Sequence, residues 1–186
     1  MKKYLNIILA VTVAIAFAVI NFGCDEFNNF PVNIPISKQI VATGNNTIAF
    51  GEGDFCLDKD SQSYKDFRDK FSKLTFIQAA YRTRTVTANG ISAPNLKGDL
   101  VITVKTELKS LLFTITLSNV NPSDYINKAI PLSLNQNQIQ AINAYVGNLN
   151  NTCFNESIEV QNISGGNPPY VITGVIDMVF EGDAKL

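Results

Sequence analysis

The chain contains no histidine and no tryptophan. The missing imidazole excludes Ser-His-Asp and Cys-His relays and any zinc, copper or haem site built on histidine. It also removes the usual general base near neutral pH. Lack of indole takes away the strongest platform for stacking on cations. Charge of one sign is lacking too: 15 basic residues stand against 16 acidic ones, for a net charge of −1. A nucleic-acid partner would need a basic stripe to replace phosphate counterions, and none is present. No cofactor-binding motif is present either, so the reading is of a protein that is not an enzyme and carries no cofactor.

Long apolar runs are nearly absent as well. The one exception is Leu5–Ile20, which follows the basic start Met1–Tyr4 and is interrupted only by Asn6 and Thr12. A spanning helix needs about 20 apolar residues, and this run ends in Asn21, Gly23 and the acids Asp25 and Glu26. Length and flanks predict a cleaved export signal. Two cleavage sites compete. Ala16-Phe17-Ala18 has the small-x-small pattern of ordinary signal peptidase. Gly23-Cys24 resembles a bacterial lipoprotein box, in which a small residue precedes a cysteine that is acylated and becomes the new N-terminus. Asn21 and Phe22 depart from the usual Leu and small residue of that box. The favoured reading is a signal peptide over 1–23 and lipidation of Cys24. Buried acyl chains, at about 0.8 kcal/mol per methylene, would then hold the chain to a membrane.

Three cysteines in an exported chain leave one over. With Cys24 acylated, Cys56 and Cys153 are left to pair in an oxidising compartment. Their bridge would close a loop of about 97 residues. The alternative is two buried thiols.

Residues 24–186 contain no repeat, charge block or low-complexity linker, which predicts a polar tether over 24–29 and one domain over 30–186. Phe30, Val32, Ile34 and Ile36 alternate with Pro31, Asn33 and Pro35, as expected for an edge strand with its prolines outward. Strand signal continues to Gly44 and resumes in "TIAF". A short helix is expected around Tyr64, Phe67 and Phe71, with Ser63 and Asp66 as its capping box. A long strand containing Tyr81, Arg82 and Arg84 ends at "ANG", a hairpin signal. Alternating runs then place Leu100, Ile102 and Val104 on one stripe, and Leu111, Phe113, Ile115 and Leu117 on the next. Asn135 as N-cap, Ile139, Ile142 and Val146 at helical spacing, and Gly147 predict a second helix. "ESIEVQNI", the turn "SGGNPP" and "YVITGVIDMVFEG" close the chain, with Ile172, Ile176, Met178 and Phe180 on one side and Val171, Val175 and Val179 on the other. The expected fold is mainly β: an antiparallel β-sandwich of about seven or eight strands with two short helices.

The densest polar cluster is "GEGDFCLDKDSQS". Asp58, Asp60 and Gln62 have the i, i+2, i+4 start of a calcium loop. Ser63 replaces the required Gly, however, and Asp69 the bidentate Glu, so the cluster reads better as a solvated loop entering a helix. Paired acids such as Glu52 with Asp54, or Glu181 with Asp183, have no spacing that fixes a catalytic distance. Arg82 and Arg84, flanked by Tyr81, are the candidate contact for an anionic sugar or lipid headgroup, against the simpler reading of a solvent face. Tyr64, Tyr81, Tyr125, Tyr145 and Tyr170 are candidates for a sugar-stacking surface or for core-edge packing.

Leader, Gly-Cys junction and sandwich together resemble the small cell-envelope lipoproteins of Bacteroidetes-like bacteria. That resemblance implies an outer-membrane location, attachment through N-terminal acyl chains and a non-catalytic binding or structural role toward an envelope protein, glycan or lipid. It brings no catalytic residues. The alternatives are a carrier of a lipid or other apolar ligand and a carbohydrate-binding module.

Overall fold

The alternating segment around Phe30 to Ile36 forms β1 (Asn29–Gly44), and its even-numbered side chains turn inward. It is the first element of this computed structural model, which describes residues 29–185. The leader 1–23, Cys24 and the tether up to residue 28 lie outside the described residues. After β2 (Ala49–Cys56) come two short helices, α1 (Leu57–Asp60) and α2 (Gln62–Phe67). Four strands follow: β3 (Phe71–Ala88), β4 (Ile91–Ser92), β5 (Lys97–Thr106) and β6 (Leu111–Val120). The chain then runs through β7 (Ile130–Pro131), α3 (Gln136–Val146), β8 (Cys153–Ser164) and β9 (Tyr170–Lys185). Among the described residues no helix is long and apolar enough to cross a membrane.

Pairing divides the strands into two halves. β1, β9 and β3 lie side by side, with the two-residue strands β4 and β7 on the far edge of β3. β2, β8, β5 and β6 form the other half. The halves are joined in one ladder at Thr43 and Phe50, where the chain turns the corner from β1 to β2. With β1 beside β9 and β2 beside β8, this is the connectivity of a jelly roll. The expected antiparallel sandwich is therefore present, and the strands beyond the expected number are the two shortest.

The interior confirms that the halves face each other. Three strand spacings separate β8 from β9 along the sheet, about 14 Å if it were flat. Yet the rings of Phe154 and Phe180 lie 5.6 Å apart. Phe76 meets Phe180 at 5.8 Å, and Phe55 stacks on Phe154 at 4.8 Å. Ring contacts of this kind add to the burial that holds the two layers together.

Each open edge is treated differently. Pro31 and Pro35 sit in an unbroken ladder with β9, so their nitrogens must point away from it. The free edge of β1 thus lacks two donors, which blocks pairing with another chain. On the opposite side α3 bridges the halves. Phe76 of β3 donates its N–H to Asn143 Oδ1 at 2.7 Å, and Gln138 Nε2 donates to the Thr114 carbonyl of β6 at 3.3 Å. The helix begins with the expected capping box between Asn135 and Gln138.

Three local expectations change. The cap of α2 is Ser61, which accepts from Tyr64 N–H, rather than Ser63. "GEGDFC" is strand, not loop, because Ala49, Gly51, Gly53 and Phe55 turn inward and the glycines carry no apolar signal. Leu111 is exposed rather than on the inner stripe: an irregularity between the Val104 and Lys105 pairings lets both Leu112 and Phe113 face inward.

Candidate functional site

Asn29 pairs with Lys185 at one end of the sandwich, while Gly44 and Ala88 flank Tyr170 at the other. The 16 residues of β1 separate these poles by about 50 Å along the strand. A cleft of about 310 Å³ opens at the second pole, lined by residues 88, 89, 91–95 and 165–167. That volume is at the lower end of the small-molecule range.

Its walls are three short loops. Asn89 and Gly90, at φ 50° and 77°, make the two-residue turn between β3 and β4 that the "ANG" signal predicts. Asn89 N–H donates to the Pro169 carbonyl at 2.8 Å and ties this turn to the β8–β9 loop. The segment Ala93–Pro94 is braced from behind. Ser123 Oγ donates to the Ala93 carbonyl at 3.3 Å, and Asn121 Nδ2 donates to the Pro94 carbonyl at 2.5 Å. Tyr170 Oη donates to the Gly166 carbonyl at 2.8 Å. Gly165, at φ 84°, brings its backbone so close to Asn95 that an added Cβ would lie 2.4 Å from the Asn95 carbonyl oxygen. Only glycine fits both the conformation and the approach.

Sequence reasoning singled out none of the cleft residues, although it recognised both turns as turns. Small and amide residues in turns read as turn chemistry, and nothing in their spacing shows that two distant turns converge.

The candidate contact residues are separated. Tyr81 faces the interior, is fully buried and shares a hydrogen bond with Thr83 Oγ1 at 3.1 Å. Burial raises its pKa to about 12. Arg82 lies on the outer face and forks onto Asp177: Nε reaches Oδ2 at 2.9 Å and Nη2 reaches Oδ1 at 3.1 Å. Ser37 Oγ also donates to Asp177. Arg84 is exposed. The three residues therefore do not form one surface. Of the tyrosines, Tyr64, Tyr81 and Tyr170 are buried, and Tyr145 donates to the Cys153 carbonyl at 2.6 Å. Together they make no exposed stacking platform.

Cys56 and Cys153 form a disulfide across directly paired positions of β2 and β8, with Cα atoms 4.0 Å apart. Asp58 lies near both sulfurs, but bonded sulfurs offer no thiolate to a metal. Asp60 Oδ2 accepts the Cys56 N–H at 2.7 Å, and Asp58 Oδ1 accepts from Thr152 Oγ1 at 3.3 Å. The weak calcium candidates, Asp58 and Asp60, thus help hold a helical turn in place. A second cleft of about 240 Å³ beside the bridge has charges of both signs, from Asp54, Lys59, Glu107 and Lys109.

One acidic residue lies inside the sandwich although its charge type argues for the solvent side. Glu156 follows the inward alternation of Phe154, Ile158 and Val160 and is fully buried, and among the described residues its Oε2 has no hydrogen-bond partner. Burial raises its pKa well above the usual carboxylate value, opposed by the charge of Lys38 and assisted by that of Asp177.

No family model matches the chain, and no curated protein matches it. Among the solved structures to which it is similar are viral ones. Desmodium yellow mottle tymovirus shares 12% identity over 85% of this chain and 90% of that one, with a TM-score of 0.32. Macrobrachium rosenbergii nodavirus shares 9% over 88% and 55%, at 0.42. A decameric BFDV capsid protein shares 12% over 83% and 98%, at 0.43. Scores of this size carry no argument about what this chain does.

Proposed function

We propose that the chain is an exported protein of a bacterial cell envelope. Cys24 is its lipid anchor, and the jelly roll has a non-catalytic binding or structural role. The observation that carries this reading is polar geometry. Cys24 is five residues before Asn29, a reach of at most about 17 Å. An anchor there holds the Asn29–Lys185 pole near the membrane and turns the loop cleft away from it, toward partners.

Two further features support the reading. The Cys56–Cys153 bridge suits an oxidising compartment and accounts for two of the three cysteines. Three of the acids singled out in the sequence have structural partners: Asp54 accepts from Asn155 at 2.8 Å, and Asp58 and Asp60 brace α1. Against a carrier of apolar ligands stands the interior itself, where Phe55, Phe76, Phe154 and Phe180 touch in series.

The test is the intact mass of the protein taken from native membranes, before and after reduction. The expected species begins at Cys24, carries acyl chains and gains two hydrogen atoms on reduction. A chain beginning at Val19 without lipid would overturn the reading.

A further inference from the structure

We propose that the cleft at the distal pole is a binding site for a neutral saccharide. The inference rests on that pole being the contact surface and narrows what it contacts. Among the described residues no Asp, Glu, Lys or Arg lines the cleft. An anionic ligand would find no cation there, and a cationic one no carboxylate. What the walls do offer is uncharged and bifunctional. The side-chain amides of Asn89, Asn95 and Asn167 are exposed, as is the Ser92 hydroxyl, and none of the four is among the hydrogen-bonded side chains of the described residues. Each amide presents both donors and an acceptor, and the hydroxyl presents both roles on one atom. That inventory complements sugar hydroxyls, which also donate and accept.

The remaining wall is apolar. Ile91 is 71% exposed at the rim, and Pro94 lies nearby in the lining. A sugar ring has C–H faces as well as hydroxyls, so mixed walls match it better than they match ions. The charged cleft beside the disulfide makes the contrast within one molecule. Rigidity supports the same conclusion. The Ser123, Asn121 and Tyr170 hydrogen bonds hold the walls from outside the cleft, Asn89 is tied by its backbone N–H, and the lining side-chain amides are left unused. A site already held in shape loses less freedom on binding.

The test uses the full chain in detergent on an array of defined neutral, sialylated, uronic and sulfated oligosaccharides. The expected result is retention on a set of neutral glycans, weakened at least tenfold by Asn95→Asp or Asn167→Asp. These changes keep side-chain shape, remove donors and add a charge. Arg84→Ala, outside the cleft, leaves retention unchanged, and thermal melts matching the parent protein show that the variants fold. Absence of retention on neutral glycans, or retention indifferent to both Asp variants, overturns the proposal. A photo-reactive residue in place of Ile91, in cells, separates the two failures. If it crosslinks to an envelope protein while the array stays blank, the pole is a contact surface and the saccharide assignment is wrong. With no crosslink and a blank array, the distal-surface reading falls as well.

Discussion

Glu156 and Lys38 are turned toward the same interior from opposite halves of the sandwich, the carboxyl fully buried and the lysine half-buried. Gly53, directly paired with Glu156, makes the room: a Cβ there would lie 3.0 Å from Lys38 Cε. Among the described residues the two do not close into an ion pair, and Asp177 adds a repulsive charge. The sign of the pH dependence follows. A carboxyl whose folded pKa is raised contributes stability that is fully present below the unfolded pKa, about 4.3. That contribution is lost as pH rises through the folded value. Glu156→Gln is expected to abolish this decline. Melting temperatures across pH then separate increasingly toward alkaline pH, with the variant the more stable. Parallel curves would remove Glu156 as the cause.

The Cys56–Cys153 bridge closes a loop of 97 residues. The chain-entropy model assigns such a loop roughly 4–5 kcal/mol, less any structure kept by the reduced unfolded chain. Denaturant titration of the Cys56→Ala, Cys153→Ala double variant is expected to show a loss of roughly 3–5 kcal/mol. A loss below about 1 kcal/mol would mean that β2 and β8 are held by their ladder and by the Phe55–Phe154 stack alone.

Arg82 and Arg84 look alike in the sequence and should behave differently. Side chains of Arg82 and Asp177 are 27% and 26% exposed and meet through two hydrogen bonds. A double-mutant cycle on Arg82→Ala and Asp177→Asn should give a coupling of about 1 kcal/mol, the upper end for a partly exposed pair. Arg84→Ala should change stability by less than about 0.5 kcal/mol. Equal effects of the two alanine changes would contradict the assigned pairing.

These contrasts mark how far the sequence could be read. Alternation in β1, β5 and β9, the "ANG" turn and the Asn135 cap were legible because each is a local signal with one dominant cause. β2 was legible only as far as Phe50, because beyond it Gly51 and Gly53 occupy inward positions without contributing hydrophobicity. Leu111 was misplaced because an irregularity in pairing is a two-strand property that one strand does not announce. The distal cleft was illegible for a stronger reason: residues 88, 89, 91–95 and 165–167 converge only after β9 has paired with β3. Glu156 alternates in register with Phe154 and Ile158, yet a lone acid in a strand reads as solvent-facing unless the neighbouring phase is trusted over its charge.

Asn143 links helix to sheet, and its loss should be local. Its Oδ1 accepts the Phe76 N–H at 2.7 Å where β3 has lost regular pairing. Asn143→Leu keeps the helix but leaves that amide without a partner, at a cost of about 1–3 kcal/mol. Hydrogen exchange at Phe76 is expected to accelerate far more than exchange in β8. Uniform acceleration would instead mean that the substitution destabilises the whole sandwich.

Gly174 tests the packing of one half against the other. A Cβ at this position would lie 2.5 Å from Ile158 Cδ1 and 2.6 Å from Tyr81 Cε2. Ile158 belongs to the opposite half, on β8, and Tyr81 to the adjacent β3. Neither can retreat easily, since both are fully buried and cores are packed near crystal density. Gly174→Ala would therefore overpack the interior, at a cost of about 1–3 kcal/mol. Adding Ile158→Val to Gly174→Ala removes the methyl it meets and should recover part of that loss. Rescue would place the two halves in contact at this point. A double variant no more stable than Gly174→Ala alone would assign the cost to Tyr81, whose hydroxyl lies 3.0 Å from the same Cβ position.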